Sequence, residues 1–475
     1  MSIGKVPNIV NIKQIVSSLC IANWTFMLYN QTMWAYEKTI YQIYTIGFCG
    51  APRRNDGIKA DRLKKVEDYI PHLKRLGIGA VLFNPLFESE SHGYDTRDMR
   101  NVDVRLGTNK DLAELVKRLH DSGIRVLLDA VFNHVGRSFF AFEDVRKNRQ
   151  SSRYCSWFNL SFDGNSWFND GFWYEDWEGC SDLVKLNLAN PEVREYLLES
   201  VRLWIQEFDI DGLRLDVAYL LNHDFIRELR ARTNSLKRDF FLVGEALFGD
   251  YNPLIAEGML DSVTNYECYK GIYSSINSGN FFEISYSYNR QFGNDPWCLY
   301  TGRHLLSFAD NHDVSRIASL LSDERNLEIA YGLIFSMPGI PCLYYGSEWG
   351  MRGRKEDGDD ALRPCVAAPE WNTLTEFICR LIRIRNEEKA LSYGNYRNVQ
   401  VTNHQLVFER TWNEEQVFAF FNLADEDFTV YGDYLGNGMR DLLENEDFVP
   451  EGNIVIPAHK VKLLKTQVQE EGSRA

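Results

Sequence analysis

Three carboxylates of this chain, Asp216, Glu245 and Asp313, each follow an apolar run of their own. Such runs predict short buried strands. When the strands are parallel and close into a barrel, the polar residues at their carboxyl ends gather at one rim. Three acids gathered at one rim predict cleavage of a glycosidic bond, because that reaction is performed by paired carboxyl groups.

Glycosidic cleavage needs two carboxyl groups in different protonation states. Arg214 lies two residues before Asp216, and strand residues two apart point to the same face. We therefore expect this guanidinium to hold Asp216 ionised, as the nucleophile. Glu245 has no cation in its own run, so its pKa should rise and leave it protonated, as the general acid. Retention would further require the two carboxyl groups to lie about 5 to 5.5 Å apart.

Around these acids the sequence resembles the α-amylase superfamily of retaining α-glycosidases. Its four short motifs occur in the family's order, the first from Asp129 to His134 and the others around the three acids. The segment 183–187 is similar to a motif of the neopullulanase and cyclomaltodextrinase branch, although Val184 stands where that branch usually has Pro. The resemblance covers roughly residues 38–465.

The resemblance also implies which residues bind the sugar. His92 and Tyr94 resemble the family's sugar-stacking loop, and Asp359 with Arg363 resembles a pair that grips a sugar beyond the cleavage point. Asp313 and the histidines are expected to hold sugar hydroxyls. The predicted substrate-binding set is Tyr94, His92, His134, Arg214, His312, Asp359 and Arg363. The alternatives are that the histidines are satisfied core residues and that the loop around Asp359 is a solvated face.

No metal or other cofactor is expected. Secreted relatives often carry Lys and His three and four places after the nucleophile, and that His gives a backbone oxygen to calcium. This chain has Tyr219 and Leu220 there, and it has no acidic, glycine-centred calcium loop elsewhere. Asn133 is predicted to be a hydrogen-bonding support. The lost Lys also leaves the usual sugar contact on the leaving side in doubt.

The composition of the 475 residues limits the classes of partner. The formal net charge of −15 argues against nucleic acid, and a neutral sugar is compatible with it. Nine scattered cysteines without metal or disulfide spacing predict free thiols in a reducing compartment. The apolar stretch 15–27 is too short and too polar to span a membrane and lacks a cleavage site, so we predict a cytoplasmic protein without a membrane partner.

Strand-like and helix-like segments alternate through most of the chain. Apolar residues recur at helical spacing from Leu63 to Leu76 before Gly77, Thr108 and Asp111 form a capping box, and Asn190 precedes a Pro that opens another helix. This alternation predicts an α/β fold, a (β/α)8 TIM barrel. The expected strands cover residues 40–48, 80–84, 126–131, 212–217, 241–245, 261–266, 304–309 and 341–345.

Two segments depart from this alternation. Residues 135–180 show no helix or strand period and are crowded with aromatic residues, which predicts an inserted loop domain whose rings mostly form a small core, with one or two reaching the cleft. After residue 391, short alternating runs predict an antiparallel β-domain. The predicted division is an N-terminal extension at 1–37, the barrel at 38–134 and 181–390, the inserted loop domain at 135–180, the β-domain at 391–466 and a tail at 467–475.

The sequence thus predicts a retaining hydrolase of α-1,4-linked glucose oligomers, including maltooligosaccharides, cyclodextrins or related α-glucans. Two alternatives remain open. A transglycosylase would use the same residues and differ only in whether water or a sugar hydroxyl takes up the intermediate. A relative without activity would keep the barrel and discard the chemistry. The oligomeric state is not predicted.

Overall fold

The computed structural model describes residues 33–435 and 438–467. The predicted N-terminal extension, up to residue 32, and the predicted tail, from residue 468, lie outside these ranges. Among the described residues, no helix is both long enough and apolar enough to cross a lipid bilayer.

Eight parallel strands form the central barrel. They are β1 (Ile40–Ile43), β2 (Ala80–Phe83), β3 (Arg125–Ala130), β4 (Gly212–Leu215), β5 (Phe241–Gly244), β6 (Ser262–Val263), β7 (Leu306–Phe308) and β8 (Ile340–Tyr344). The ladder runs in chain order from β1 to β6, while β8 pairs with both β1 and β7. One parallel bridge between Thr264 and Leu306 joins β6 to β7 and completes the ring. The predicted barrel fold is confirmed.

Helices connect the barrel strands, and their ends follow the predicted signals. Thr108 and Asp111 form the capping box, Asn190 caps the helix that opens with Pro191, and Gly77 ends its helix at φ 84°. The helices are Thr45–Phe48, Lys64–Leu76, Asn109–Asp121, Phe140–Asn148, Pro191–Phe208, His223–Leu236, Tyr266–Ser278, Phe281–Phe292, Ile317–Leu320, Leu327–Ser336, Asp359–Leu362, Thr373–Glu387 and Lys389–Tyr393, with short 3-10 turns between them.

Two predicted strands are wrong in their extent. The run 40–48 is strand only as far as Ile43, and a helical turn follows because Gly47 lets the chain approach the carbonyl of Arg363 closely. The run 261–266 contains a strand of two residues. It stops there because the Asn265 side chain accepts the N–H of Cys268 and starts a helix.

The interior of the barrel changes character along the strands. Alternate residues point inward, and those at the amino-terminal end form an apolar layer: Ile40, Ala80, Leu82, Leu127, Phe241, Val243, Leu306, Phe308, Ile340 and Cys342. Two residues further along the same strands, the inward positions become Gln42, Asn84, Asp129 and Glu245. The fold thus places a buried polar layer on top of an apolar one.

The segment predicted as an inserted loop is more regular than expected. A helix at Phe140–Asn148 buries Phe142 and Val145, and five short strands surround it: His134–Gly136, Leu160–Ser161, Trp173–Tyr174, Asp176–Trp177 and Cys180–Lys185. Four of its aromatic residues, Trp157, Phe158, Phe172 and Tyr174, are buried, while Trp167, Phe168 and Trp173 are exposed. The expectation of no helix there was wrong. The helix has nine residues and buries only Ala141, Phe142 and Val145, which are too few to show a helical repeat in the sequence.

The C-terminal part is an antiparallel sheet, as predicted. Its strands are Asn395–Val401, Gln405–Trp412, Glu415–Asn422, Phe428–Tyr431, Met439–Asp441, Glu446–Phe448, Asn453–Ile456 and Lys460–Thr466. Six of them form one sheet, and Phe428–Tyr431 with Asn453–Ile456 forms a separate pair. A two-stranded sheet at Phe87–Ser89 and Thr96–Val102 follows β2 and carries the loop with His92 and Tyr94.

Candidate active site

Asp216 and Glu245 meet at the carboxyl end of the barrel around one guanidinium. Arg214 Nη1 donates to Asp216 Oδ1 at 2.9 Å, and Arg214 Nη2 lies 2.7 Å from Glu245 Oε1. Both acids and the arginine are at most 5% exposed. The structure therefore brings together two carboxylates from neighbouring strands at a buried cation.

The shared guanidinium corrects one prediction. The spacing of two residues pairs Arg214 with Asp216 alone, and Glu245 has no cation in its own run. In the parallel ladder, however, Arg214 lies opposite Val243, and its long side chain reaches the acid that follows β5. A cation partner was therefore missed because it belongs to the next strand.

Burial raises the pKa of both acids. For Glu245, burial raises the pKa as predicted, Arg214 opposes the rise and the charge of Asp313 adds to it. For Asp216, burial again raises the pKa, Arg214 opposes it, and the charges of Glu245 and Asp129 add to it. The pKa of Asp216 therefore shifts in the direction opposite to the one expected from Arg214 alone, because burial and the neighbouring carboxylates act against the guanidinium. Because the pKa of each carboxyl group is raised and both groups contact the same cation, the pair favours holding one proton between them.

Asp129 is a member of this centre that the sequence reasoning did not place in the site. It is 2% exposed and accepts hydrogen bonds from Arg214 Nη1 at 2.8 Å, Asn84 Nδ2 at 2.9 Å and the Tyr94 hydroxyl at 2.9 Å. Gln42 in turn donates to Asn84 at 2.9 Å. The signal was available, because Gln42, Asn84 and Asp129 each follow an inward apolar residue by two positions.

Asp313 lies at the same rim in a different electrostatic setting. His312 Nε2 is 2.9 Å from Asp313 Oδ2, and Arg363 Nη2 donates to Asp313 Oδ1 at 2.9 Å. Burial by itself would raise the pKa of Asp313, but His312 and Arg363 lower it below its ordinary value. With its side chain 35% exposed, Asp313 is a charged acceptor facing the opening.

His312 connects this acid to the rest of the centre. Its Nδ1 lies 3.0 Å from Gln42 Nε2 and its Nε2 lies 2.5 Å from the Tyr94 hydroxyl. The Tyr94 and Tyr44 rings lie nearly parallel to the imidazole, with centroids at 5.6 and 6.0 Å. The predicted residues Tyr94 and His312 are thus both part of the site, and Tyr44 was missed.

His134 presents an unpartnered nitrogen to the site. It is 1% exposed, its Nδ1 lies 3.2 Å from Asn133 Nδ2, and its Nε2 has no hydrogen-bond partner among the described residues. Burial lowers the pKa of His134 to about 3, so the ring is neutral. Nε2 lies 3.9 Å from Asp216 Oδ2, and the Trp177 ring of the inserted segment lies 5.5 Å from the imidazole.

The remaining predicted binding residues lie further out. The His92 side chain is 39% exposed, and its Nδ1 accepts the N–H of Tyr94 at 3.2 Å within their own loop. Asp359 is 47% exposed and is paired with Lys355 at 2.6 Å and Arg363 at 3.3 Å. Arg363 therefore joins Asp359 to Asp313 at one edge of the site.

An aromatic pair with one exposed ring and one partly buried ring lies next to the acids on another edge. The Tyr219 and Phe248 rings, three residues beyond Asp216 and Glu245, have centroids 5.4 Å apart. Phe248 is 70% exposed, and the Tyr219 hydroxyl donates to Glu178 of the inserted segment at 3.4 Å. The position where the family often has Lys is thus filled by an aromatic ring that touches another.

The region around Asn133 does not suit calcium. A small cavity there is lined by side-chain amides, apolar groups and the ammonium of Lys185, with no carboxylate in its wall. Calcium prefers several oxygens, usually including carboxylates. Across residues 33–435 and 438–467, no cluster of three or more His, Cys, Asp and Glu residues could hold a metal.

Comparison with known proteins identifies a family and its relatives. Residues 42–377 match the family described as Alpha amylase, catalytic domain. The cyclomaltodextrinase of Thermoanaerobacter pseudethanolicus is 32% identical over 451 residues, which cover 89% of this chain and 76% of that protein. Neopullulanase 2 of Thermoactinomyces vulgaris is 33% identical over 423 residues, covering 84% and 71%.

A solved structure has a similar fold. The ligand-free cyclic α-maltosyl-(1→6)-maltose hydrolase from Arthrobacter globiformis superposes with a TM-score of 0.78 at 26% identity, covering 92% of this chain and all of that one. The likeness therefore extends over the barrel and the C-terminal sheet.

Proposed function

The chain belongs to the alpha-amylase family of glycoside hydrolases, and from this premise we propose that it hydrolyses α-1,4-glucosidic bonds with retention of configuration. The proposed substrates are maltooligosaccharides, cyclodextrins or related α-glucans. The observation that carries the proposal is the convergence of Asp216 and Glu245 on the one guanidinium of Arg214.

Each acid has a role in the proposed double displacement. Asp216 attacks the anomeric carbon while Glu245 protonates the departing glycosidic oxygen, and a covalent glycosyl-enzyme forms. Glu245, now ionised, takes a proton from water, which attacks the same carbon and releases the sugar and Asp216. The proton shared by the buried pair is the one this cycle needs, held by Glu245 when substrate binds. A separation of about 5 to 5.5 Å between the carboxyl groups is part of the proposal.

The sugar being cleaved is held by three groups around the acids. The neutral His134 offers an unpartnered Nε2 in a buried position, which is costly unless a ligand hydroxyl or water pairs with it. His312 and the charged Asp313 offer further partners for hydroxyls. Tyr94 contacts His312 and Asp129 within the site. Arg363, Asp359 and His92 complete the proposed set at the edge.

A product time course tests this function. The protein is incubated with maltotriose, maltoheptaose and β-cyclodextrin, and proton NMR follows the anomeric form of the first products. We expect α-anomers first, with β-anomers growing only by mutarotation. Early β-anomers would refute retention, and turnover by the Glu245→Gln variant equal to that of the parent would refute the roles assigned to the acids.

A transfer reaction is a second candidate, favoured by the exposed Phe248 ring and the partly buried Tyr219 ring beside it. Aromatic faces bind the apolar faces of glucose and could hold an acceptor sugar against the intermediate. Transfer would produce oligomers longer than those supplied. We expect the Tyr219→Ala variant to reduce the yield of longer products relative to hydrolysis, with Trp173→Ala, an exposed aromatic of the inserted segment, as the control.

We also propose that the enzyme works in the cytoplasm. The eight cysteines among the described residues carry free thiols, which suits a reducing compartment. Fractionation of the native host with an antibody against the protein tests this location, and recovery in the culture medium would contradict it.

A further inference from the structure

The residue that follows Asp216 has a strained backbone. Val217 adopts φ 40° and ψ 47°, the left-handed region. It is the one β-branched residue with positive φ among the part of the chain that the structure describes. A β-branched residue is a genuine outlier there, and such strain persists only where the surroundings impose it. Its side chain is 3% exposed and therefore fixed by packing.

The neighbouring strand explains how this turn is accommodated. Asp216 still donates its N–H to Ala130 at 3.1 Å, so the strand continues to the acid and the chain turns only after it. The turn brings Ala218 over Gly244, where an added Cβ would lie 2.7 Å from the Ala218 Cβ. The absence of a side chain at Gly244 thus lets the turn settle beside the residue that precedes Glu245.

The turn delivers a main-chain donor to the second acid. The N–H of Val217 points at Glu245 Oε2 at 3.0 Å, while Arg214 Nη2 holds Oε1 at 2.7 Å. Both oxygens of Glu245 therefore have a fixed partner. A main-chain donor in a packed turn cannot rotate away as a side chain can, so it restricts the orientation of the carboxyl group.

We propose that Val217 is a positioning residue for the general acid, holding Glu245 through a main-chain N–H that its strained turn presents to Oε2. The inference rests on the proposed role of Glu245. A donor to this oxygen favours the ionised form, so it opposes the effect of burial and helps Glu245 act as the base of the second step. The strained residue, Val217, directly follows the proposed nucleophile Asp216 and makes the contact with Glu245.

The sharpest test removes the N–H and keeps the side chain. Val217 is replaced by α-hydroxyisovaleric acid, which exchanges the amide for an ester, and the same replacement at the exposed Val449 is the control. Two substrates are compared: maltotriose, whose leaving group needs protonation, and α-maltosyl fluoride, whose leaving group needs little help. We expect kcat/KM for maltotriose to fall about 10-fold to 100-fold and that for the fluoride to change little.

The pH profile separates positioning from a structural role. Without the N–H, the pKa of Glu245 should rise, so the basic limb of kcat/KM for maltotriose should move to higher pH. Equal losses with both substrates, or an unmoved limb, would overturn the proposal. If Glu245→Gln leaves maltotriose hydrolysis intact, the proposed function itself fails. If only Glu245→Gln abolishes it and the ester behaves as the parent, the positioning role alone fails.

A second variant covers the case in which the ester does not fold. Val217→Gly keeps the N–H and adopts positive φ without strain, but it leaves the turn free to move. We expect a selective loss with maltotriose, with α-maltosyl fluoride spared, whereas Val449→Gly, the same change at an exposed valine away from the site, should behave as the parent. A glycine variant with undiminished maltotriose hydrolysis would overturn the proposal.

Discussion

The two ends of the barrel interior use the same strands for opposite purposes. At the amino-terminal end, inward residues such as Leu127, Phe241 and Val243 form an apolar layer. Two positions later along their strands, Asp129 and Glu245 are also buried but ionisable, and both contact one arginine. The lower layer gains free energy by excluding water. The upper layer buries polar groups instead and gains little in this way. Substitutions in the lower layer should therefore change mainly stability, and substitutions in the upper layer mainly activity.

The largest expected effect is at the upper layer. Asp216→Asn should lower kcat on maltotriose about 10⁴-fold or more, because the nucleophile is lost. The free energy of unfolding should stay equal or rise, because a carboxylate beside Glu245 and Asp129 is removed. Steady-state kinetics and urea unfolding measure the two quantities. A variant that loses both activity and stability would mean that the two layers are not separable.

The converse substitution lies in the lower layer. Phe241→Ala should cost about 3 to 5 kcal/mol of unfolding free energy, since it leaves a cavity in the apolar interior. The folded variant should keep kcat within a few-fold of the parent, measured well below its melting temperature. A collapse of kcat in protein shown by circular dichroism to be folded would contradict the separation.

His134 tests a residue of the upper layer that binds without reacting. His134→Phe should lower kcat/KM on maltotriose about 10-fold to 100-fold, through loss of a hydroxyl contact. The pKa of His134 is lowered by burial to about 3, so between pH 3 and about 6.5 the unfolded chain binds more protons. The neutral ring therefore costs stability as pH falls below 6.5.

The variant should consequently lose less stability than the parent on acidification, by about 2 kcal/mol at pH 5. Urea unfolding at pH 7 and pH 5 measures this difference. His120→Phe, at a partly exposed histidine near the other end of the barrel, is the comparison variant. An unchanged pH dependence in His134→Phe would contradict the neutral assignment.

The smallest expected effect concerns Asp129. Its charge contributes to the raised pKa of Asp216, after burial and the charge of Glu245. Asp129→Asn should therefore lower that pKa and move the acid limb of kcat/KM to lower pH. The exposed Asp360→Asn should leave the limb in place. A shift to higher pH would show that Asp129 acts chiefly by orienting Arg214.

Apolar runs predicted the barrel strands, and the acids that follow those runs were expected at one rim, where the structure places Asp216, Glu245 and Asp313. The sequence did not reveal Asp129 as part of the centre, although the period of two through Leu127 contained that information. The sharing of Arg214 between two strands could not be read in advance, because it depends on strand register and on the reach of the side chain. The same holds for the contact from Val217, which exists only where two turns pack together.

The pairing between β6 and β7 is the shortest in the barrel. β6 has two residues, and its link to β7 is the single bridge from Thr264 to Leu306, while the Thr264 hydroxyl both donates to the Ala246 carbonyl and accepts its N–H. Hydrogen-bonded structure opens first where it is thinnest. Amide deuterium uptake should therefore begin along this seam before it reaches β3 or β4, and the seam starts one residue beyond Glu245. Local opening of the barrel would thus affect Glu245 first and the apolar layer of the barrel interior last.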